Sequence, residues 1–438
     1  MMIANGCWRR AALRPHSKGH GRGGGLRRTS TLNTAAATLT PRFPGATKSP
    51  FTYEMTWDVP ENAPRIPTFR VLNEKNRIEN KNHITAEIPT SEVLKCIMFD
   101  AQRHGRVSFY MVSAGEEALM VGSAAALGPR DVITTQYREH GVFLQRGFEL
   151  KDFMSQLVAN HNDPGKGRNM PVHYSGKVKV GVHAVASTLG TQIPHAAGAG
   201  YALKMQDKED TTNAPRVAAA YFGEGAASEG DFHGALNIAA VIKSPVLFIC
   251  RNNGFAISTP ASEQYKGDGI ASRGPGYGIE SIRVDGTDIF AVYEATKAAR
   301  KKALEDGGRP ILLELMSYRI SHHSTSDDSS AYRSADDVAY WKSSQRNPIS
   351  RLYQWLEHEG VWSEDQDKEA RRQIRKDVIR ELTVAEKEKK PALKAIFDDV
   401  YAELTEEAQS QREELKRLMH KYPEEYDAEQ HVGGIKGI

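Results

Sequence analysis

Cysteine is scarce in this chain. Its 438 residues include three, Cys7, Cys96 and Cys250, too scattered for a disulfide framework or a zinc cluster. A reducing compartment fits, and Cys250, which closes an apolar run, is expected as a small core residue. Long apolar runs are missing too. None approaches the ~18 residues of a membrane span, so no membrane insertion is expected and the chain is read as soluble. Acidic residues are absent from residues 1–48, which carry nine of the 58 Lys and Arg and many Ser, Thr, Ala and Gly. That composition reads as a mitochondrial transit peptide with the matrix as destination; a basic arm for nucleic acid is the competing reading. Without those residues, 49 basic side chains face 55 acidic ones. The net charge of +3 is therefore no argument for a nucleic-acid partner. No internal repeat is found, and no G-x-S-x-G elbow supports a serine hydrolase.

What is present starts with prolines. Pro60, Pro64, Pro67 and Pro89 punctuate residues 49–90, which are expected as an extended arm lying along a partner. From Ser91, read as an N-cap, the pattern turns helical. A helix is expected over 116–127, closed by Gly128 and Pro129. Short apolar runs at 131–135, 217–222, 246–250, 279–284 and 311–316 then alternate with helical stretches at 193–205, 231–242 and 288–303. Strands apolar on both faces and alternating with helices imply a parallel, doubly wound α/β sheet over 91–346. Such sheets bind ligands outside the carboxyl ends of their strands. The loops beginning at Gln136, Gly223, Arg251 and Arg319 are therefore the expected site. Residues 347–438 are dense in Glu, Lys and Arg, with Leu352, Trp355, Leu382, Ile396 and Leu404 at helical intervals. They read as a helical C-terminal region with solvated charged faces.

The chemistry centres on Gly223-Glu224-Gly225 and, 26 residues later, Asn252-Asn253. Each follows an apolar run. The first glycine is expected to let the strand turn, and the second to let backbone approach a ligand. A carboxylate and an amide oxygen are hard ligands that suit Mg²⁺, which shares its shell with phosphate and water. A carbonyl near Phe255 would add another oxygen. Either half alone is an ordinary tight turn; together they favour a metal-diphosphate site.

The pair resembles the thiamine-diphosphate signature, usually GDG followed by NN, here with Glu224 in the Asp position. The stretches GEGAASEGD (223–231), RNNGFAISTP (251–260), EQYKGDGIASRGPGYGI (263–279) and YRISHHSTSDDSSAYRS (318–334) resemble the alpha subunits of branched-chain 2-oxo acid dehydrogenases. Pyruvate dehydrogenase alpha subunits are similar in layout and differ in these loops. The likeness runs from about residue 60 to near the C-terminus, and it implies the thiamine-diphosphate-binding fold.

By that resemblance, Glu224, Asn253 and the Phe255 carbonyl would hold Mg²⁺. Gln136, Tyr137, Arg138, Gly225, Ala226 and Arg251 would surround the diphosphate, for which guanidinium forks suit Arg251. As surface ion pairs the arginines would be worth little. Ser187 and Leu189 would hold the aminopyrimidine. Ala186, Thr188, Thr191 and Gln192 would form a K⁺ loop, or Thr191 and Gln192 would cap the following helix. His323 would lie beside the diphosphate and serve acyl transfer, with Arg319, Asp327, Tyr332 and Arg333 in its loop; His322 and His323 as loop surface or a transition-metal site is the alternative. Phe255 replaces the usual Tyr, Ala186 and Thr188 replace Ser and Pro, and Ser321 replaces Gly. The implied reaction is oxidative decarboxylation of a branched 2-oxo acid, with acylation of a lipoyl group on an acyltransferase. The glutamate that shuttles a proton would come from a beta subunit in an alpha2-beta2 assembly. Ser324 and Ser334 match phosphorylated serines, which implies a kinase and a phosphatase; an unregulated hydroxyl-rich loop is the alternative. The rival functions are a sister dehydrogenase for pyruvate or acetoin and a silent scaffold of the same fold.

Overall fold

In the computed structural model, the apolar runs become strands of one sheet. They are β2 (Val132–Thr134), β3 (Ala218–Gly223), β4 (Val246–Asn252), β7 (Glu280–Asp285) and β8 (Ile311–Met316), while β5 (Phe255–Ala256) and β6 (Thr259–Pro260) form a separate antiparallel ribbon. The structure describes Met55 and residues 62–79, 111–176, 180–210, 212–398 and 400–438. The stretches read as a transit peptide and as a helix entered at Ser91 lie outside the described residues, as does much of the arm.

Among the described residues the strand order is β1-β7-β8-β4-β3-β2, parallel throughout. The edge strand β1 (Thr68–Phe69) is an element the sequence pattern did not give. Residues 68–69 of the arm pair with this chain's own sheet. Thr68 pairs with Arg283 and Phe69 with Val284. Just beyond, the Val71 and Leu72 N–H groups donate to Asp288 Oδ2 at 2.8 and 2.6 Å. Asp288 is also the N-cap of the helix over 289–304, accepting from Phe290 and Ala291 N–H. One buried carboxylate thus satisfies the helix start and anchors the arm. A two-residue strand has no periodicity to read, which is why the pattern missed it.

Alternation along the strands sorts side chains into two cores. Tyr221, Leu247, Ile249 and Leu313 join one cluster, under α1 (Glu117–Ala125) and the helix over 289–304. Two further helices, α2 (His140–Gln145) and α3 (Leu150–Val158), adjoin that side; neither was expected. Phe222, Phe248, Cys250 and Leu312 join the other cluster, under α4 (Gln192–Glu209) and α5 (Gly230–Ile242). Helices therefore cover both faces, and the sheet is doubly wound, as expected. Cys250 is wholly buried, and burial pushes its thiol well up, so it is an inert core residue.

After α6 (Ile289–Leu304) and β8 the chain is helical: α7 (Ala335–Lys342), α8 (Pro348–His358), α9 (Glu364–Lys387) and α10 (Glu406–Lys421). Leu352 and Leu356 of α8 enter the first core. Ile374, Val378 and Ala385 of α9 pack on Met154 of α3. No helix among the described residues is long and apolar enough to cross a membrane.

Candidate functional site

Parallel pairing puts the two signature segments side by side. Gly223 is in register with Arg251, and the Glu224 N–H donates to the Arg251 carbonyl at 3.2 Å. Glu224 and Asn253 therefore leave adjacent strand ends. The Asn253 N–H donates to Glu224 Oε2 at 3.3 Å, whereas Glu224 Oε1 is buried with no hydrogen-bond partner. Burial pushes this carboxyl up to about 7. A buried charge without compensation is costly, and a divalent cation would supply it. The Asn253 amide nitrogen donates to Glu116 Oε1 at 2.9 Å, and its Oδ1 accepts from the Phe255 N–H at 3.1 Å. Among the described residues no group of three or more His, Cys, Asp or Glu could hold a metal. The donor set at hand, one carboxylate, one amide and backbone carbonyls, suits Mg²⁺ completed by phosphate oxygens and water.

Gly223 adopts no conformation that needs glycine, whereas protein closely approaches Gly225. A Cβ on Gly225 would lie 2.7 Å from Ala256 Cβ, so its smallness seats the β5–β6 ribbon against the β3 end. Gly223 stays in its strand, and a Cβ there would meet only ordinary contacts.

Arg138 and Arg251 are nearly wholly buried. Arg251 is gripped by two carboxylates: Nη1 lies 3.2 Å from Glu116, and Nη2 lies 3.0 Å from Glu139. Burial works against its charge, but Glu116 and Glu139 outweigh that and raise its pKa. Burial likewise opposes the charge of Glu116, yet Arg251, Arg138 and the Asn253 amide hold its carboxyl below the usual range. Glu139 also accepts from the Gln136 N–H at 2.9 Å, and Gln136 Oε1 accepts from the Gly223 N–H at 2.9 Å. Gln136 thus ties the β2 end to the β3 end. Neither Glu116 nor Glu139 was singled out from sequence. The available signal was a charged pair, Glu116-Glu117, entering a helix of otherwise small and apolar residues.

The loop after β8 closes the group. Arg138 Nη2 donates to the His323 carbonyl at 3.0 Å and faces His323 Nδ1 at 3.1 Å; Arg319 Nη1 faces the same nitrogen at 3.4 Å. Burial, then Arg138 and Arg319, push this imidazole down to about 4. With Nδ1 accepting from guanidiniums, the neutral ring carries its proton on Nε2. Tyr137 lies edge-on to His323, with centroids 6.1 Å apart. Asp327 Oδ2 accepts from the His323 N–H at 2.7 Å and from Tyr332 OH at 2.6 Å. Arg319 Nη2 donates to the Ile257 carbonyl at 2.7 Å and to Tyr332 OH at 2.8 Å. Arg333 donates to the Ser321 carbonyl at 2.9 Å. His322 turns elsewhere: its Nδ1 accepts from the Ser329 N–H at 2.9 Å. Ser324 Oγ accepts from the Ser326 N–H at 3.3 Å, and Ser334 caps α7 by accepting from the Asp337 N–H at 3.0 Å.

The remaining expected positions lie at the start of α4. A parallel bridge between Ile133 and Val182 brings this segment beside β2. Ser187 and Thr188 are exposed, Ala186 is half-buried, and Leu189 packs against the second core. Thr191 stands at the N-cap but makes no capping bond; its hydroxyl donates to the Thr188 carbonyl at 3.0 Å. The Gln192 side chain turns inward and donates to the Tyr221 carbonyl at 3.1 Å. Among the described residues, no hydrogen bond joins Ser187 to the strand-end cluster.

Comparison with known proteins gives the following. Residues 89–394 match the family described as the dehydrogenase E1 component. The chain is 51% identical over 359 residues to the 2-oxoisovalerate dehydrogenase subunit alpha, mitochondrial, of Mus musculus, covering 79% of each chain. It is 47% identical over 401 residues to the protein of that name from Macaca fascicularis, covering 89% of this chain and 88% of that one. It is 45% identical over 401 residues to the corresponding subunit alpha 1 of Arabidopsis thaliana, covering 89% and 83%.

Proposed function

The chain belongs to the dehydrogenase E1 component family, and from that premise we propose that it is the alpha subunit of a mitochondrial branched-chain 2-oxo acid dehydrogenase. The observation that carries the reading is Glu224 Oε1, buried and unpartnered at a strand end beside Asn253, with Arg251 and Arg138 close by.

Thiamine diphosphate, on which this family depends, supplies the electron sink that lets a 2-oxo acid lose carbon dioxide. The protein's part is binding, orientation and proton placement. Glu224, Asn253 and the Phe255 carbonyl would hold Mg²⁺. Arg138, Arg251, Tyr137 and the backbone of Gly225 and Ala226 would receive the diphosphate, with Gln136 bracing two of the strand ends. Ser187 and Leu189 would take the aminopyrimidine end. Ala186, Thr188, Thr191 and Gln192 would line a K⁺ site. His323 holds its proton at Nε2, where it can donate to the reacting oxygen or to a lipoyl sulfur during acyl transfer.

The alpha subunit of an E1 component works within a larger complex. A beta subunit in an alpha2-beta2 tetramer and a lipoyl-bearing acyltransferase are the partners we assign. Exposed Tyr201 and Met205 on α4 and Ile238 and Val241 on the adjacent α5 support a chain docked on that face. Phosphorylation of Ser324 would put a dianion beside Asp327, which holds the His323 N–H, and would loosen that loop. Ser334 is the second candidate for the kinase and phosphatase.

The test is turnover by this chain reconstituted with a beta partner and a lipoyl acceptor. Mg²⁺ and thiamine diphosphate should be required, and 3-methyl-2-oxobutanoate should be preferred to pyruvate. Preference for pyruvate would reassign the substrate, and failure to bind thiamine diphosphate would remove the cofactor.

A further inference from the structure

Glu116 is an odd neighbour for an anion site. It enters α1 at the N-cap position, yet its side chain makes no capping bond. Instead it runs, wholly buried, between the two arginines assigned to the diphosphate. Oε1 accepts from Arg251 Nη1 at 3.2 Å and from Asn253 Nδ2 at 2.9 Å. Oε2 lies 3.7 Å from Arg138 Nε and has no hydrogen-bond partner. The preceding residue fixes this approach: Gly115 has φ +92°, and a Cβ there would lie 2.2 Å from the Tyr318 carbonyl oxygen. The turn therefore presses against the chain leaving β8.

Building on the cofactor reading above, we propose that Glu116 is a positioning residue that makes the site select metal-loaded diphosphate over free diphosphate. Two physical effects support this. The first is orientation. A carboxylate only accepts, so it draws the Asn253 amide nitrogen and leaves Oδ1 as the face available to a cation. The second is charge. Arg138 and Arg251 are set against Glu116, Glu139 and Glu224 in a buried space. Glu116, 3.2 Å from Arg251 and 3.7 Å from Arg138, offsets positive charge that a bare polyanion would otherwise meet at low dielectric. A divalent cation restores it. Without Glu116 the arginines would attract phosphate oxygens with or without metal.

The experiment uses the full chain assembled with its beta partner. Thiamine diphosphate is titrated calorimetrically in Mg²⁺ and in EDTA, and thermal melting is recorded in parallel. In the parent protein Mg²⁺ should tighten binding strongly. In E116Q the ratio of metal-free to metal-loaded Kd should fall about tenfold or more, the scale of one lost charge-assisted contact. E116D, which keeps the charge, should retain most of the ratio. A parallel weakening of both affinities in E116Q would overturn the proposal, as would equal ratios in E116Q and E116D. If E116Q does not fold, N253D and the double variant E116Q/N253D carry the test, because the double variant restores the number of carboxylates. N253D, with one carboxylate more, should depend on metal more steeply than the parent, the double variant should return toward the parent ratio, and identical behaviour of the two would overturn the proposal. A parent protein that fails to bind thiamine diphosphate in Mg²⁺ would instead sink the cofactor assignment itself.

Discussion

Arg251 and Arg371 make the same kind of contact in two regions of the chain. Arg251, at the end of β4, reaches Glu116 at 3.2 Å and Glu139 at 3.0 Å, with all three side chains at 5% exposure or less. Arg371, on α9, reaches Asp367 one turn back at 2.7 Å, with 43% of its side chain exposed. The shorter contact is the weaker one. Water screens the helix pair and competes for its partners, while the strand-end arginine has only protein to answer its charge. Charge in the C-terminal helices keeps a surface solvated. At the strand ends it is confined, so each group sets the state of its neighbours.

Four measurements test this contrast. The largest effect is expected from Arg251→Met, which leaves two buried carboxylates without their partner. Urea denaturation should show a loss of about 3–5 kcal/mol. A loss below about 1 kcal/mol would mean that water reaches the site and that the two regions differ less than their burial implies.

His323→Asn should lower turnover about 10²–10⁴-fold while melting stays near the parent value, because it removes a proton at Nε2 from a partly open loop. If turnover with the lipoyl acceptor is unchanged, the histidine is a spacer between arginines.

His140, on α2 beside the site, tests acid response. Burial first, then Arg138, push its imidazole from 6.5 down to about 3. A histidine whose folded value is depressed contributes stability that is full above 6.5 and is lost as pH falls toward 3. Melts of His140→Gln across that window should therefore decline less steeply than the parent. Equal slopes would remove this imidazole from the acid transition.

The smallest effect belongs to Arg371→Ala, which should change stability by no more than about 0.5 kcal/mol. A larger loss would show that the α9 surface pairs act as a network with the α3 contact.

Legibility from sequence followed the strength of the local signal. Strands β3, β4 and β8 are apolar runs stopped by Gly, Asn or polar turns, and their positions could be read directly. So could the long helix opened by Asp288, where a cap residue precedes a regular pattern. The short helices α2 and α3 and the strand β1 could not, since a few residues carry no period. At the site, Glu224, Asn253, Arg138, Arg251 and His323 were nameable, the first pair from residue type and spacing, the others by resemblance. Glu116 and Glu139 were not, since in a chain with 55 acidic residues nothing local marks a carboxylate that will be buried.

The order of apolar and polar residues was enough to determine an α/β chain with sheet-end loops, because burial preference and hydrogen-bonding needs act residue by residue. The tertiary structure alone decided the rest. Parallel register laid Gly223 against Arg251 and so brought Glu224 beside Asn253. The anchoring of the arm on Asp288 joins groups 217 residues apart. The enclosure of Glu116 between two arginines brings it within bonding distance of Asn253, 137 residues away. Such pairings depend on which strands become neighbours, a property of the whole sheet that no single window of residues contains.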